Sequence, residues 1–139
     1  MPFVIIMKKL LPVIFCLLTL GSLSLFTVAA PFYENEVIFA SLKNGSSKDL
    51  ARFFENGVEL NINGNQGEYS KNQAELVIRD FFKKYPPENF EIIHEGFSGD
   101  QIKHYIGTYT SMGESYRILL KGKLQEEEFR IYSLEIIKY

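Results

Sequence analysis

A chain of 139 residues with 15 basic and 17 acidic side chains, a formal charge of −2 and one cysteine has room for one domain. Its mildly acidic balance excludes the electrostatic footprint of a nucleic-acid binder, and a single cysteine excludes an internal disulfide.

The first element is a leader. Lys8 and Lys9 follow Met7, and no charged residue occurs from Leu10 to Val28. The run Leu10-Leu11-Pro12-Val13-Ile14-Phe15-Cys16-Leu17-Leu18 is almost wholly apolar, and small residues arrive at Thr27-Val28-Ala29-Ala30. A positive head, an apolar middle and a small-residue exit are the parts of a secretory signal. This reading makes residues 1–29 a signal peptide, with Met7 as an alternative start, and residues 30–139 a single domain. An uncleaved anchor is the competing reading, since the uncharged run approaches the ~20 residues that span a bilayer. Pro12, Gly21 and several hydroxyl residues dilute that run, however, and no basic cluster follows it. A lipid on Cys16 is disfavoured by the bulky Phe15 before it. Removing the leader takes away Lys8, Lys9 and Cys16. The domain then has thirteen basic against seventeen acidic residues, a charge of −4, and no thiol. It must hold together by its core alone, which about 110 residues can do by burying roughly two-thirds of the unfolded surface.

Within the domain, Glu34 to Lys43 predicts a short helix with Val37, Ile38, Ser41 and Leu42 on one face, stopped by Asn44-Gly45. Ser46 or Ser47 caps a second helix, whose stripe is Leu50, Phe53 and Phe54 and whose end is Asn56-Gly57. Val58 to Ile62 alternates as a half-buried strand, Asn63 to Gly67 is a turn, and Glu68-Tyr69 returns. Ser70 with Gln73 is a capping box. It opens a third helix carrying Ala74, Val77, Ile78, Phe81 and Phe82, ended by Tyr85-Pro86-Pro87. The period then changes to two. Phe90 to Phe97, Gln101 to Thr110, Ser115 to Gly122 and Glu128 to Lys138 are predicted strands, joined by short links that make neighbours antiparallel. The expected class is α+β, with helices packed on one face of a curved antiparallel sheet.

That order resembles the cone-shaped NTF2-like (cystatin-like) fold. The segments Ser41-Leu42-Lys43-Asn44-Gly45, Leu50-Ala51-Arg52-Phe53-Phe54, Tyr69-Ser70-Lys71-Asn72-Gln73-Ala74 and Phe90-Glu91-Ile92-Ile93-His94-Glu95-Gly96 are more specific. Together with Ile106-Gly107-Thr108-Tyr109 and Tyr116-Arg117-Ile118, they resemble the DUF4783 family of short secreted proteins of Bacteroidetes-type bacteria. The resemblance implies three N-terminal helices on a curved sheet and a periplasmic or extracellular location. It implies no activity.

Candidate residues follow from side-chain chemistry. Strand alternation puts Phe90, Ile92, His94 and Gly96 on one face. If that face meets the helices, His94 points into the cone, either as a general base or as a hydrogen-bonded structural histidine. Asp80, beside the third helix's apolar stripe, and the phenols of Tyr69, Tyr105, Tyr109 and Tyr116 are the partners on offer, though no aligned catalytic set is evident. Arg117 interrupts an apolar strand. It either binds an anion in the cone or points outward to pair with Glu135. His104 lies between Lys103 and Tyr105. A tight zinc site would need carboxylates whose spacing shows no motif, so no metal or other cofactor is expected. Asn63 to Gly67 lacks the context of a phosphate loop, and Glu126-Glu127-Glu128 is a solvated loop before it is a calcium site. The last strand carries apolar residues on both faces, which predicts an exposed patch and a homodimer through the sheet face. The expected function is a non-catalytic binding module for a small apolar ligand or an envelope protein. The alternative is a small enzyme using the cone, with His94 as base.

Overall fold

A computed structural model describes residues 33–139. The leader, the alternative start at Met7, Cys16 and the junction at Ala29-Ala30 lie outside the described residues. Among the described residues no helix is long and apolar enough to cross a membrane.

The elements run α1 (Tyr33–Asn44), α2 (Ser47–Ala51), β1 (Phe54–Ile62), β2 (Asn65–Ser70), α3 (Lys71–Lys84), β3 (Asn89–Ser98), β4 (Ile102–Ser111), β5 (Glu114–Gln125) and β6 (Glu128–Lys138). Helix α1 buries Ile38, Ser41 and Leu42 as its spacing predicts, and Gly45 stops it in the left-handed region at φ 68°. In α3 the capping box is complete. Gln73 N–H donates to Ser70 Oγ at 3.3 Å, and Ser70 N–H donates to Gln73 Oε1 at 3.2 Å. Ala74, Ile78, Phe81 and Phe82 form its buried face.

The second helix is shorter than its apolar stripe predicts. Its N-cap is Ser46, as expected, but it ends at Ala51. The carbonyl of Phe53 accepts from Ile131 N–H at 2.7 Å, so the chain enters the sheet there instead of turning again. Phe54 starts β1, and Asn56-Gly57 lies within that strand. Tertiary pairing has outweighed a local helical pattern. The first turn is also tighter than expected. Asn63 and Gly64, at φ 51° and 89°, form a two-residue link of the Asn-Gly kind, and Asn65 to Gly67 belong to β2. Glu126 and Glu127 form the corresponding link between β5 and β6, which releases Glu128 to start β6 and pair with Arg130.

The six strands form one curved sheet in the order β2-β1-β6-β5-β4-β3. Two helices precede the first hairpin and the third follows it, so the helices are not all N-terminal to the sheet. Nor is the sheet wholly antiparallel, because β1 and β6 pair in parallel. Topology requires this. Helix α3 links β2 on one edge to β3 on the other, and the meander then returns until β6 lies beside β1, running in the same direction.

The helices cover one face, here called inner. It carries Val58, Leu60, Phe90, Tyr105, Tyr109, Tyr116, Ile118, Leu120, Phe129, Ile131, Leu134 and Ile136, all buried. Two bulges decide which residues join it. Between Lys121↔Ser133 and Gly122↔Ile131, β6 holds one extra residue, Tyr132. The bulge reverses the alternation, so Phe129 and Ile131 before it and Leu134 and Ile136 after it all point inward. Phe129, Ile131, Leu134 and Ile136, expected on both faces of the last strand, therefore share one face. Only Tyr132 and Ile137 remain as its large apolar residues outside that set, and both are half-buried.

Candidate functional site

Aromatic rings pack the middle of the cone, and a cleft of ≈ 480 Å³ lined by Val37, Asp49, Arg52, Phe53 and Phe129 lies at one end. Phe39 from α1 stands edge-on to Tyr105, with ring centroids 5.0 Å apart, and Phe129 meets Tyr105 from another side at 5.7 Å. Toward the far end of β4, Phe81 from α3 meets Tyr109 at 5.6 Å and Tyr116 at 5.7 Å, while Phe82 stacks on Tyr109 at 6.1 Å. These ring pairs interlock in edge-to-face and tilted geometries that add to their area burial. Among the described residues the buried polar or charged side chains other than tyrosines are Ser41, Ser47 and Ser111. Among the described residues no imidazole or carboxylate is buried in the interior.

The tyrosines hold their protons firmly. Tyr109 O–H donates to the carbonyl of Tyr85 at 2.5 Å, tying β4 to the end of α3. Burial pushes the Tyr109 phenol well above its ordinary range, and neighbouring Tyr116 adds to the effect. Burial likewise raises Tyr116, reinforced by Tyr85. Tyr105 is raised by burial and only partly drawn back by Lys103. Lys103 itself lies 5.0 Å above the Tyr105 ring and 5.2 Å from that of Phe97, and it bonds Glu95 at 2.5 Å. Burial opposes its charge, but Glu95 and Tyr105 more than offset this and raise its pKa.

These phenols make a pH prediction with a definite sign. An unfolded tyrosine ionises near pH 10, whereas the folded phenols keep their protons to higher pH. Their contribution is fully present below about pH 10 and is lost as pH rises through the folded values. Urea midpoints should therefore hold steady to about pH 9 and fall steeply beyond about pH 10. A midpoint that stays level or rises over that upper range would contradict the burial of the three rings.

The predicted site residues do not converge. A bulge at Ile93 lies between the pairs Ile92↔Gly107 and His94↔Ile106, and it carries His94 to the outer face. His94 is exposed there, not inside the cone with Phe90 and Ile92. Asp80 is exposed, with its side chain 70 % accessible, and pairs with Arg79 at 3.4 Å. It stands at the rim of a cleft of ≈ 270 Å³ between α3 and the β1–β2 hairpin, near Tyr69, Val77 and Lys84. Arg117 points outward and donates to Glu135 at 2.9 Å, the structural reading of the two. Tyr105, Tyr109 and Tyr116 are packing groups of the interior.

What sequence reasoning missed is the outer face of β4 and β5. Ile102, His104 and Ile106 alternate along β4 opposite Lys123, Lys121 and Leu119 of β5. Ile102, His104, Ile106, Leu119 and Lys121 line a shallow groove of ≈ 410 Å³ together with Tyr132. One cross-strand row runs the width of the sheet on this face: Glu68, Glu59, Ser133, Lys121, His104, Gly96. It is acidic at one end and basic beyond the middle. The doublet Ile92-Ile93 and the change of apolar parity between Ile131 and Leu134 were the available signals, since each marks a break in strict alternation.

Residues 35–136 match the model of a domain of unknown function, DUF4783. No curated protein matches the chain. Among solved structures, a DUF4783 family protein from Bacteroides ovatus is 24 % identical, with a TM-score of 0.70 over 74 % of this chain and 93 % of that one. Another from Bacteroides fragilis is 24 % identical, with a TM-score of 0.70 over 74 % of this chain and 96 % of that one. An NTF-2 like protein of unknown function from Silicibacter pomeroyi is 17 % identical, with a TM-score of 0.57 over 76 % and 90 %. These structures share the fold.

Proposed function

The chain belongs to the DUF4783 family, and from its leader pattern and ring-packed interior we propose that it is an exported, non-catalytic interaction domain of the bacterial envelope. The observation that carries this reading is the packing of Phe39, Phe81, Tyr105, Tyr109, Tyr116 and Phe129, which fill the middle of the cone. Binding then belongs to the surface, and the outer face of the sheet is its site.

The occupant we assign to that face is a second copy of the chain. Its support is charge complementarity. In the row Glu68, Glu59, Ser133, Lys121, a two-fold axis along β6 would set Lys121 over the partner's Glu59. Leu119, Ile106 and Tyr132 would supply the apolar centre beside it. Sedimentation velocity of the purified protein at micromolar concentration is the test. A dimer that Leu119→Glu converts to a folded monomer is the expected result. A monomer in the unmodified protein would refute the self-association.

A further inference from the structure

Two imidazoles meet on the outer face above a glycine. His104 on β4 stands directly opposite Gly96 on β3, and His94 precedes Gly96 by two residues, so the two histidines are diagonal neighbours across the strand pair. Their ring centroids are 5.6 Å apart, with planes inclined at 33°. Gly96 makes this approach feasible. A methyl group on its Cα would lie 2.6 Å from Nε2 of His104 and 3.2 Å from Nε2 of His94. Both Nε2 atoms therefore border one small space, left open because residue 96 has no side chain.

We propose that His94 and His104 form a two-imidazole binding site for a borderline divalent transition-metal ion above Gly96. Such ions bind imidazole nitrogen at about 2.0–2.1 Å. Two nitrogens already bordering one point need only modest side-chain rotation to reach that distance. Neutral imidazole suits Cu²⁺, Ni²⁺ and Zn²⁺, of which Cu²⁺ binds most tightly, whereas Ca²⁺ and Mg²⁺ require oxygen ligands. Among the described residues no group of three or more His, Cys, Asp or Glu could hold a metal. The site therefore supplies two protein ligands and leaves the remaining positions to water. That makes it an exchangeable surface site, unlike the tight zinc centre that the sequence argued against. Lys121, opposite His104 in the β4–β5 register, is a nearby cation that weakens binding without blocking it.

Calorimetric titration of the purified protein with CuCl₂ and ZnCl₂, together with Cu²⁺ electron paramagnetic resonance, tests the assignment. One ion should bind per chain, Cu²⁺ more tightly than Zn²⁺, with a spectrum showing two coordinated nitrogens. His94→Gln and His104→Gln should each weaken binding by about tenfold or more. Gly96→Ala should do the same while keeping both histidines, because the added methyl displaces the His104 ring, and circular dichroism would verify that each variant is folded. Lys121→Gln should tighten binding. Affinity unchanged in both histidine variants, or a spectrum with a single nitrogen, would overturn the site.

Discussion

Replacing Tyr109 with alanine is expected to destabilise the domain by about 3–5 kcal/mol, a value typical of deleting a buried aromatic ring. Its side chain is fully buried, and its ring contacts Phe81, Phe82 and Tyr116. Its hydroxyl also satisfies the carbonyl of Tyr85, where α3 ends before Pro86 and Pro87. The substitution leaves a cavity between helix and sheet and removes the bond that fixes the helix end. Against a total stability of about 5–15 kcal/mol, the loss removes much of the folding free energy. Urea denaturation should show a large fall in midpoint with an unchanged slope. Tyr109→Phe keeps the ring and loses only the hydrogen bond, so it should cost about 1–3 kcal/mol. If alanine costs under about 1.5 kcal/mol, the site is not close-packed in the way a ring-packed cone requires.

A second large effect is expected at Gly122. This residue lies on the inner face of β5 beneath the ring of Phe129. A Cβ here would sit 2.2 Å from the ring's Cζ and 2.8 Å from the backbone oxygen of Arg130. Both contacts oppose a side chain: the ring can shift only at a cost, and the backbone of a paired strand cannot. Gly122→Val should therefore cost about 3 kcal/mol, at the upper end of overpacking penalties. Gly122→Ala should cost less but still destabilise. Its effect should shrink when Phe129 is also replaced by alanine, with a coupling of about 0.5–3 kcal/mol between the two positions. Additive costs in that double-mutant cycle would mean that ring and glycine do not share one space. The same device recurs at Gly107, where a Cβ would meet the Phe90 ring at 2.5 Å. In both places the ring occupies space vacated by a missing side chain, and this helps a curved sheet close around its core.

Much of this architecture was readable from local chemistry. The capping box at Ser70, the Pro86-Pro87 stop and the apolar stripe of α3 are short-range signals, and the structure obeys them. The predicted strands β4 and β5 are present, and their alternation puts Tyr105, Tyr109 and Tyr116 on one face. The family resemblance drawn from segments such as Leu50 to Phe54 and Phe90 to Gly96 agrees with the family match. The misreadings arose where long-range pairing decides. Phe53 and Phe54 fit a helical stripe, yet Ile131 captures the Phe53 carbonyl. His94 fits the inner face of an unbroken strand, yet one extra residue at Ile93 turns it outward. The extra residue at Tyr132 has the opposite consequence, bringing apolar residues of both parities to the core. That correction removes the doubly apolar last strand as an argument for dimerisation. The groove lined by Ile102, Ile106, Leu119 and Tyr132 takes its place. The convergence over Gly96 was hidden for the same reason, since it depends on the register of β3 against β4 and on the absence of one methyl group.

We infer that the outer face, not the cone, is the working surface, and that its charges are arranged to meet a second copy. Sedimentation equilibrium of charge-exchanged variants tests that claim most directly. Lys121→Glu should dissociate the dimer, since an acidic side chain would then face the partner's Glu59 across the two-fold axis along β6. Adding Glu59→Lys should restore the opposite-charge pairing and recover the dimer. Recovery in the double variant, with Lys121→Glu alone folded and monomeric, is the predicted result. A Lys121→Glu protein that associates as strongly as the unmodified one would contradict it.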